Sequence, residues 1–114
     1  IVLTLPGSSV TYYGEEIGMQ DYRLFNINDN RDPNRTPMQW NNGVGAGFTS
    51  RQAGETWLPI HPLYALINVH AQREQQRSTY KYFQSLTTLR KTSVFRDGSF
   101  KLEVINENVL AFAR

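Results

Sequence analysis

Two prolines restrict the backbone conformation of residues 30–40, and no other feature of the sequence restricts the fold as much. Pro33 and Pro37 fix their own φ angles and push the residues before them toward extended geometry, so we predict a stiff, non-helical loop. The loop carries Arg31 and Arg35, four residues apart. A stiff loop holds a guanidinium fork with little entropy left to lose, which suits ligand binding. On residue chemistry alone we favour the other interpretation, that both arginines are surface residues or partners of nearby carboxylates.

The composition is that of one ordinary globular domain, with 114 residues of which 39% are hydrophobic and 12% aromatic. The formal net charge is only +2, and the 12 basic and 10 acidic residues are mixed along the chain. Because lysine and arginine form no cluster, no nucleic-acid partner is expected. No apolar run reaches the roughly 18 residues that a spanning helix needs, so no membrane segment is predicted in this sequence.

The two histidines do not predict a metal site. His61 and His70 lie nine residues apart, and no further histidine or cysteine completes a ligand set. We interpret both as structural or exposed, and expect neither a metal nor another cofactor.

The first 91 residues have the pattern of a strand, a long loop and a helix. Residues 10–13 are β-branched and aromatic, and are predicted to form a buried strand. Residues 20–50 are irregular, and a loop of more than about 15 residues is usually functional or disordered. Aromatic side chains within it argue against disorder. Residues 78–91 are the clearest helix, with Ser78 as the N-cap.

The predicted helix has one apolar face, at the positions Tyr82, Phe83, Leu86 and Leu89. We interpret this face as core, and a groove for a partner fits the same pattern.

Glu15 and Glu16 follow the predicted strand, at the end where α/β enzymes place polar site groups. The interpretation that we favour is that one glutamate caps or pairs locally while the other is solvated, because two adjacent carboxylates on one loop point apart.

The last part of the chain changes character. Residues 100–104 alternate between apolar and charged side chains, and residues 109–113 form a second apolar run, so we predict an antiparallel hairpin. The change predicts a domain boundary near residues 91–95. The chain begins inside an apolar run and ends inside the second predicted strand. We therefore expect a fragment of a longer protein.

Two stretches resemble a known family. Residues 5–19, with Tyr-Tyr-Gly-Glu-Glu-Ile-Gly-Met at 12–19, resemble the last barrel strand of glycoside hydrolase family 13, the α-amylase family. Residues 31–41, Arg-Asp-Pro-Asn-Arg-Thr-Pro-Met-Gln-Trp-Asn, are similar to the signature of its α-glucosidase branch, and above all to insect maltases. The chain departs from the family at residues 8–9, where Gly-Thr-Pro is common, and at Asn41, where Asp is common. Shorter matches follow in family order at residues 46–48, 57–59, 68–69, 72 and 89–91.

The resemblance covers essentially all 114 residues and implies an α/β fold. Residues 1–92 would be the C-terminal segment of a catalytic (β/α)₈ TIM barrel, with strand eight, a long loop and helix eight. Residues 93–114 would be the first strands of a C-terminal β-sandwich domain. Active sites of such barrels lie at the C-terminal ends of the strands, where residues 14–57 would sit.

The resemblance also implies a function, which is retaining hydrolysis of terminal α-linked glucose from maltose, sucrose or short oligosaccharides. The family's catalytic carboxylates come from the fourth, fifth and seventh strands, which would precede residue 1, so no catalytic residue is expected in this fragment and the isolated piece should be inactive. Glu15 and Glu16 do not match those positions. The residue of the motif that resembles the family's glucose-binding arginine is Arg35, and Arg31 is the second candidate for substrate binding.

Two relatives within the same family offer other functions. One is a non-catalytic heavy chain that is the partner of a membrane transporter, and the other is a sucrose isomerase or transglucosidase. The resemblance implies an extracellular or cell-surface location.

Overall fold

The structure is a computed structural model, and it describes residues 1–23, 29–50 and 55–114. Within these ranges the longer elements are helices α1 (Val69–Glu74), α2 (Thr79–Arg90) and α3 (Ser93–Asp97) and strands β1 (Lys101–Asn106) and β2 (Val109–Ala113). Short 3-10 helices precede them at Glu15–Ile17, Asp32–Asn34, Val44–Gly47 and Pro62–Ala65. Part of the predicted long loop, residues 24–28, lies outside the described residues, as do residues 51–54.

The predicted buried strand at residues 10–13 requires a correction. The structure assigns no strand there, and Val10 and Tyr12 are exposed. A strand is stabilised by the neighbour with which it pairs. Among the described residues the paired strands are β1 and β2, and they pair with each other. The β-branched and aromatic residues at 10–13 therefore favour a strand, but no strand in the described ranges pairs with them.

Helix α2 confirms the prediction for residues 78–91 to within one residue at each end. The Ser78 hydroxyl accepts a hydrogen bond from the Lys81 amide at 3.2 Å, as an N-cap should. The predicted core face is only partly covered, because Phe83 and Leu86 are half-buried while Tyr82 and Leu89 remain 66% and 44% exposed. An amphipathic face is fully buried only where another layer packs over all of it, and the described residues cover only part of this face.

The chain divides into two compact units, which are Ile1–Val10 with Gln84–Arg114, and Thr11–Phe83. The predicted division into a barrel segment at 1–92 and a sandwich segment at 93–114 concerns domains of a larger fold, and it stays a prediction.

In the first unit the predicted hairpin is confirmed. Strands β1 and β2 are antiparallel, with Leu102 opposite Phe112 and Val104 opposite Leu110, so these four side chains share one face. The register shifts between Val104 and Asn106.

Arg90, in the last turn of α2, organises the beginning of the chain within the same unit. Its guanidinium donates to the carbonyl oxygens of Leu3 and Leu5 at 2.9 and 3.0 Å, and also to that of Gly7. A guanidinium carries five donors in a fixed fork, so one side chain can satisfy several loop carbonyls at once. Residues 3–7 are thereby held against the end of a helix although they form no regular structure.

The second unit, which includes Arg31 and Arg35, has a small apolar core. Its buried apolar side chains are those of Ile17, Met38, Ala46, Leu58 and Ile60. Helix α1, which the sequence pattern did not reveal, begins after Asn68, whose side-chain oxygen accepts from the Ala71 amide at 2.7 Å.

Candidate functional site

The proline-braced segment contains one short helical turn. The 3-10 helix Asp32–Asn34 has Pro33 in its first turn, where the missing amide proton is no loss. The Arg35 amide then donates to the Asp32 carbonyl oxygen at 3.0 Å, which closes the turn. The prediction of a wholly non-helical loop is therefore corrected: the segment is not α-helical, but it does make a single tight turn that places Arg35 directly after it.

Arg31 is a surface residue that pairs with one carboxylate. Its Nε and Nη2 donate to Oδ1 and Oδ2 of Asp29 at 3.1 and 2.7 Å, and its backbone amide donates to Oδ1 at 2.9 Å. The Arg31 side chain is 78% exposed. Hydrogen bonds from Arg31 hold the pKa of the Asp29 carboxyl well below its usual range. This geometry is that of a brace for the loop.

Arg35 has a more enclosed environment. Its Nη2 donates to Oδ2 of Asp29 at 3.2 Å and to Oδ1 of Asp32, and its side chain is 32% exposed. The guanidinium carbon lies 5.3 Å from the ring centroid of Trp57, which is a cation–π contact. The Arg35 Nε is buried and finds no hydrogen-bond partner among the described residues. Arg35 is therefore fixed by its neighbours and still has an unused donor.

A cavity of about 350 Å³ lies beside Arg35 within the second unit. Its aromatic lining consists of Tyr13, Trp40, Phe48 and Trp57. Glu16, Arg35 and Thr56 are the polar side chains in the lining, and Pro37, Met38 and Leu58 complete it. A mostly apolar concave surface with a few convergent polar groups is the usual form of a small-molecule site. Of the two predicted site residues, the cavity brings in Arg35 and leaves Arg31 outside its lining.

Hydrogen bonds to its backbone carbonyl oxygens hold the motif in place. The Tyr13 hydroxyl donates to the Thr36 carbonyl oxygen at 2.9 Å, and burial raises the pKa of this phenol above its ordinary value. The Val69 and His70 amides, at the start of α1, donate to the carbonyl oxygens of Gln39 and Trp40 at 3.0 and 2.9 Å. The first amides of a helix have no partner inside it. Helix α1 therefore holds the motif through two backbone amides that have no hydrogen-bond partner within the helix.

Two tight turns border the cavity. Gly14 has φ 91°, and a Cβ atom built on it would lie 2.9 Å from Cβ and Sδ of Met19, so any side chain there meets a neighbour. Ala46 has φ 56°, a left-handed conformation that is uncommon for a residue other than glycine. Its carbonyl oxygen accepts from the Trp40 and Asn41 amides at 2.9 and 3.1 Å. These hydrogen bonds hold the strained turn that lies between Trp40 and Phe48.

The two adjacent glutamates behave as the favoured interpretation predicts. Oε2 of Glu16 accepts from the Gly14 amide at 2.9 Å, which is a local cap, and Glu15 is exposed. Glu16 also lines the cavity.

The histidines have no common site. Nδ1 of His61 accepts from the Leu63 amide at 3.1 Å and caps the 3-10 helix Pro62–Ala65, while His70 is exposed. The described ranges contain no group of three or more His, Cys, Asp or Glu residues that could hold a metal ion. No helix in those ranges is long and apolar enough to cross a membrane.

The sequence pattern alone did not single out Asp29, Tyr13 or Trp57 as members of the site. Asp29 lies two residues before Arg31, so an acidic residue beside the motif was an available signal. Tyr13 and Trp57 lie 22 residues on either side of Arg35, and no local pattern connects residues so far apart.

Comparisons with known proteins agree with the motif. Residues 1–98 match the alpha-amylase catalytic domain. Maltase 1 of Drosophila virilis is 44% identical over 131 residues, which cover 100% of this chain and 20% of that protein. The amino acid transporter heavy chain SLC3A1 of Rattus norvegicus is 44% identical over 93 residues, which cover 78% of this chain and 13% of that protein.

Among solved structures, an isomaltulose synthase mutant from Erwinia rhapontici NX5, in complex with its natural substrate sucrose, has a TM-score of 0.81 to this chain at 27% identity. The match covers 99% of this chain and 26% of that one. The solved neighbours are TIM-barrel enzymes, and the chain is consistent with a fragment of a (β/α)₈ barrel.

The chain spans only 20% of the length of the Drosophila maltase. Because the family match nevertheless takes in residues 1–98 of the 114, the chain belongs to the alpha-amylase family, glycoside hydrolase family 13, as the motifs at residues 5–19 and 31–41 predict.

Proposed function

We propose that the chain is part of a retaining α-glucosidase that hydrolyses terminal α-linked glucose from maltose, sucrose or short oligosaccharides. The observation that carries the proposal is the position of Arg35, which lies in the wall of an aromatic-lined cavity while two carboxylates and an indole ring hold it. Membership of the family and the maltase among the relatives support the same class of reaction.

The cavity offers a sugar ring both kinds of contact that it needs. Four aromatic side chains provide apolar surface for the C–H groups of the ring. Arg35 can only donate hydrogen bonds and a carboxylate such as that of Glu16 can accept them, so the cavity can bind hydroxyl groups in both senses. The volume of about 350 Å³ is at the lower end of the roughly 300–1,000 Å³ of small-molecule sites.

The chemical step is assigned to residues outside this chain. A retaining glycosidase needs a carboxylate nucleophile and a carboxylic acid about 5 Å apart. Glu15 and Glu16 are a poor pair for this role, because Glu16 caps the Gly14 amide while Glu15 is exposed. We propose that the catalytic carboxylates lie on barrel strands that precede residue 1, and that this chain contributes substrate binding.

Arg35 is the residue that we propose binds the glucose at the non-reducing end. Arg31 is the second candidate, and its bidentate pairing with Asp29 supports a bracing role for it. A closed pocket around Arg35 would admit only the end of a sugar chain, which gives exo-action. From the family resemblance we also propose an extracellular or cell-surface location.

A second candidate function is supported by the transporter heavy chain among the relatives. In that case the full-length protein would be a non-catalytic partner of a membrane transporter and would lack the catalytic carboxylates. A third candidate, supported by the isomaltulose synthase, is an isomerase or transglucosidase that acts on sucrose. Products separate the three, since hydrolysis of sucrose releases glucose and fructose, isomerisation yields a second disaccharide, and the heavy chain yields neither.

The experiment is Arg35→Lys in the full-length protein, with kcat/KM for maltose as the measurement. Lysine keeps the charge but loses the planar fork that aligns hydroxyl groups. We expect kcat/KM to fall by on the order of 10², which corresponds to about 2.7 kcal/mol of lost transition-state stabilisation. The thermal midpoint should change little, because lysine keeps a positive charge next to Asp29 and Asp32, the carboxylates that Arg35 contacts.

Arg31→Lys is the matched control, because it is the same substitution four residues away in the same loop. Its effect on kcat/KM should be much smaller, since Arg31 contacts Asp29 at the surface. If Arg31→Lys is the more damaging change, the two roles are exchanged. If both variants have normal kinetics, neither arginine binds substrate and the proposal for this site is wrong.

A further inference from the structure

Arg35 is held by two different kinds of neighbour. Asp29 and Asp32 both accept from a single nitrogen, Nη2. Contacts at one nitrogen fix the position of that atom but leave the guanidinium plane free to turn about it. The indole of Trp57, with its ring centroid 5.3 Å from the guanidinium carbon, is the contact that restricts the plane.

Trp57 contacts Arg35 from the wall of the same cavity. Its side chain lines the cavity, yet the residue is 75% exposed, so it adds little to the core of the unit. An aromatic ring placed against a guanidinium attracts the cation through its quadrupole, and Arg is the cation most often found in such pairs. Among the described residues, the contact that the geometry defines for Trp57 is therefore with the proposed sugar-binding residue.

We infer that Trp57 is a positioning residue, whose ring sets the plane of the Arg35 guanidinium so that the fork is presented to the sugar already aligned. A preorganised fork has less rotational freedom to lose when it binds hydroxyl groups, and alignment matters most in the transition state. The inference rests on the proposed function, since it concerns how Arg35 performs its role.

A double-mutant cycle in the full-length protein tests the inference, with maltose as the substrate and kcat/KM as the measurement. Trp57→Leu removes the ring, and we expect kcat/KM to fall about tenfold, within the range that a partly desolvated cation–π contact can supply. In an Arg35→Ala background the same Trp57→Leu change should alter kcat/KM by less than about threefold, because the residue that Trp57 positions is gone.

Two further variants test whether the effect needs an aromatic face and whether it is specific to the Arg35–Trp57 contact, while the double-mutant cycle separates positioning from direct stacking on the sugar. Trp57→Phe keeps an aromatic face and should recover most of the lost kcat/KM. Phe48→Leu removes another aromatic side chain of the same cavity, which lies outside the Arg35–Trp57 contact, so its effect should be the same in the presence and absence of Arg35.

The outcomes separate this inference from the proposed function. If Arg35→Ala severely lowers kcat/KM while Trp57→Leu is silent, or while the two effects multiply independently, the positioning role is overturned and the proposed function stands. Equal losses in Trp57→Leu and Trp57→Phe also overturn the positioning role. If Arg35→Ala leaves kcat/KM unchanged, the proposed function for this site and the inference that rests on it both fail.

Discussion

Arg31 and Arg35 show how strongly the surroundings decide what a side chain can do. Both belong to one stiff loop and both contact Asp29. The Arg31 side chain is 78% exposed and uses its fork on that single carboxylate, whereas Arg35 has Trp57 over its guanidinium and a cavity beside it. An exposed ion pair contributes little to stability, so the value of the Arg31–Asp29 pair lies in where it places Asp29, which in turn contacts Arg35.

His61 is the residue for which a pH effect can be argued. It is buried, its Nδ1 accepts from the Leu63 amide at 3.1 Å, and the ring of Tyr22 lies 5.0 Å away edge-on. Burial lowers the pKa of His61 below its ordinary value. A protonated Nδ1 could no longer accept that hydrogen bond, so the folded state favours the neutral ring.

The free energy of unfolding should therefore decrease as the pH falls below the ordinary pKa of histidine. The unfolded state takes up the proton near the ordinary pKa of about 6.5, while the folded state takes it up only at lower pH. We expect the contribution of His61 to be complete above about pH 6.5 and to be lost as the pH falls from there toward the lower folded-state pKa. The measurement is the thermal midpoint of the full-length protein between pH 8 and pH 5.

His61→Asn is the control for this effect. Asparagine can accept from the Leu63 amide as a helix cap but does not titrate in this range. The part of the pH dependence that belongs to His61 should disappear in the variant. An unchanged profile would assign the pH dependence to other groups.

At the scale of single residues, the sequence predicts the side chains whose role depends on near neighbours. Ser78 caps the helix that follows it, and Glu16 caps the glycine two residues before it. The contacts that fix Arg35 and Thr36 from Trp57 and Tyr13 join positions more than 20 residues apart. Local chemistry contains no information about such pairs, because they depend on how the loops fold back on each other.

At the scale of elements, one buried side chain in α1 connects three segments of the second unit. The Gln72 amide nitrogen donates to the Ile17 carbonyl oxygen at 2.7 Å, and its amide oxygen accepts from the Tyr80 amide at 2.9 Å, at the start of α2. The Ser78 hydroxyl donates to the Gln72 backbone oxygen at 2.8 Å. Gln72 therefore ties α1 to the 3-10 helix Glu15–Ile17 and to the beginning of α2.

The side-chain amide of Gln72 donates to one segment and accepts from another. Gln72→Glu therefore tests whether these hydrogen bonds stabilise the fold. Glutamate keeps an acceptor for Tyr80 but has no donor for the Ile17 oxygen unless it is protonated. A buried oxygen that loses its donor costs about 1–3 kcal/mol, and more when a charge faces it. We expect a clear drop in the thermal midpoint of the full-length protein.

Gln76→Glu makes the same chemical change at an exposed position four residues later, and it should leave the midpoint nearly unchanged. Similar midpoints for the two variants would show that the Gln72 hydrogen bonds do not connect these elements.

The sequence predicts α2 and the hairpin well because each is specified by its own residues. Helix α2 has a cap and a repeating apolar pattern, and β1 and β2 are neighbours in the chain that pair with each other. The prediction of a strand at residues 10–13 was wrong because a strand needs a partner. Helix α1 was not predicted because it has only six residues. Short elements owe their stability to tertiary contacts more than to propensity.

At the scale of the whole molecule, the described residues bury little apolar surface. Six hydrophobic side chains are buried, while large hydrophobic residues such as Ile1, Val10 and Tyr82 are more than 60% exposed. The hydroxyl of Thr36 and both amide atoms of Gln39 are buried without a hydrogen-bond partner among the described residues. Each such group destabilises the fold by about 1–3 kcal/mol until a partner is supplied.

These features agree with the proposal that the chain is one part of a larger barrel. A folded domain has a net stability of only about 5–15 kcal/mol, so several unpaired buried groups and a small core are enough to remove it. The exposed face of α2 and the unpaired residues 10–13 are surfaces that other parts of a barrel would cover.

The last prediction is that the isolated 114-residue chain does not fold cooperatively and releases no glucose from maltose. Its unpaired backbone and exposed apolar side chains should make it aggregation-prone or molten, with weak near-UV circular dichroism from Trp40 and Trp57. The measurements are a thermal and a urea titration of the purified chain, followed by a glucose-release assay. A sharp transition with strong near-UV signals would show that the described contacts are sufficient for an independent domain. Glucose release that survives repurification and follows the protein would instead assign catalysis to Glu15 or Glu16, and would overturn the view that this chain only binds the sugar.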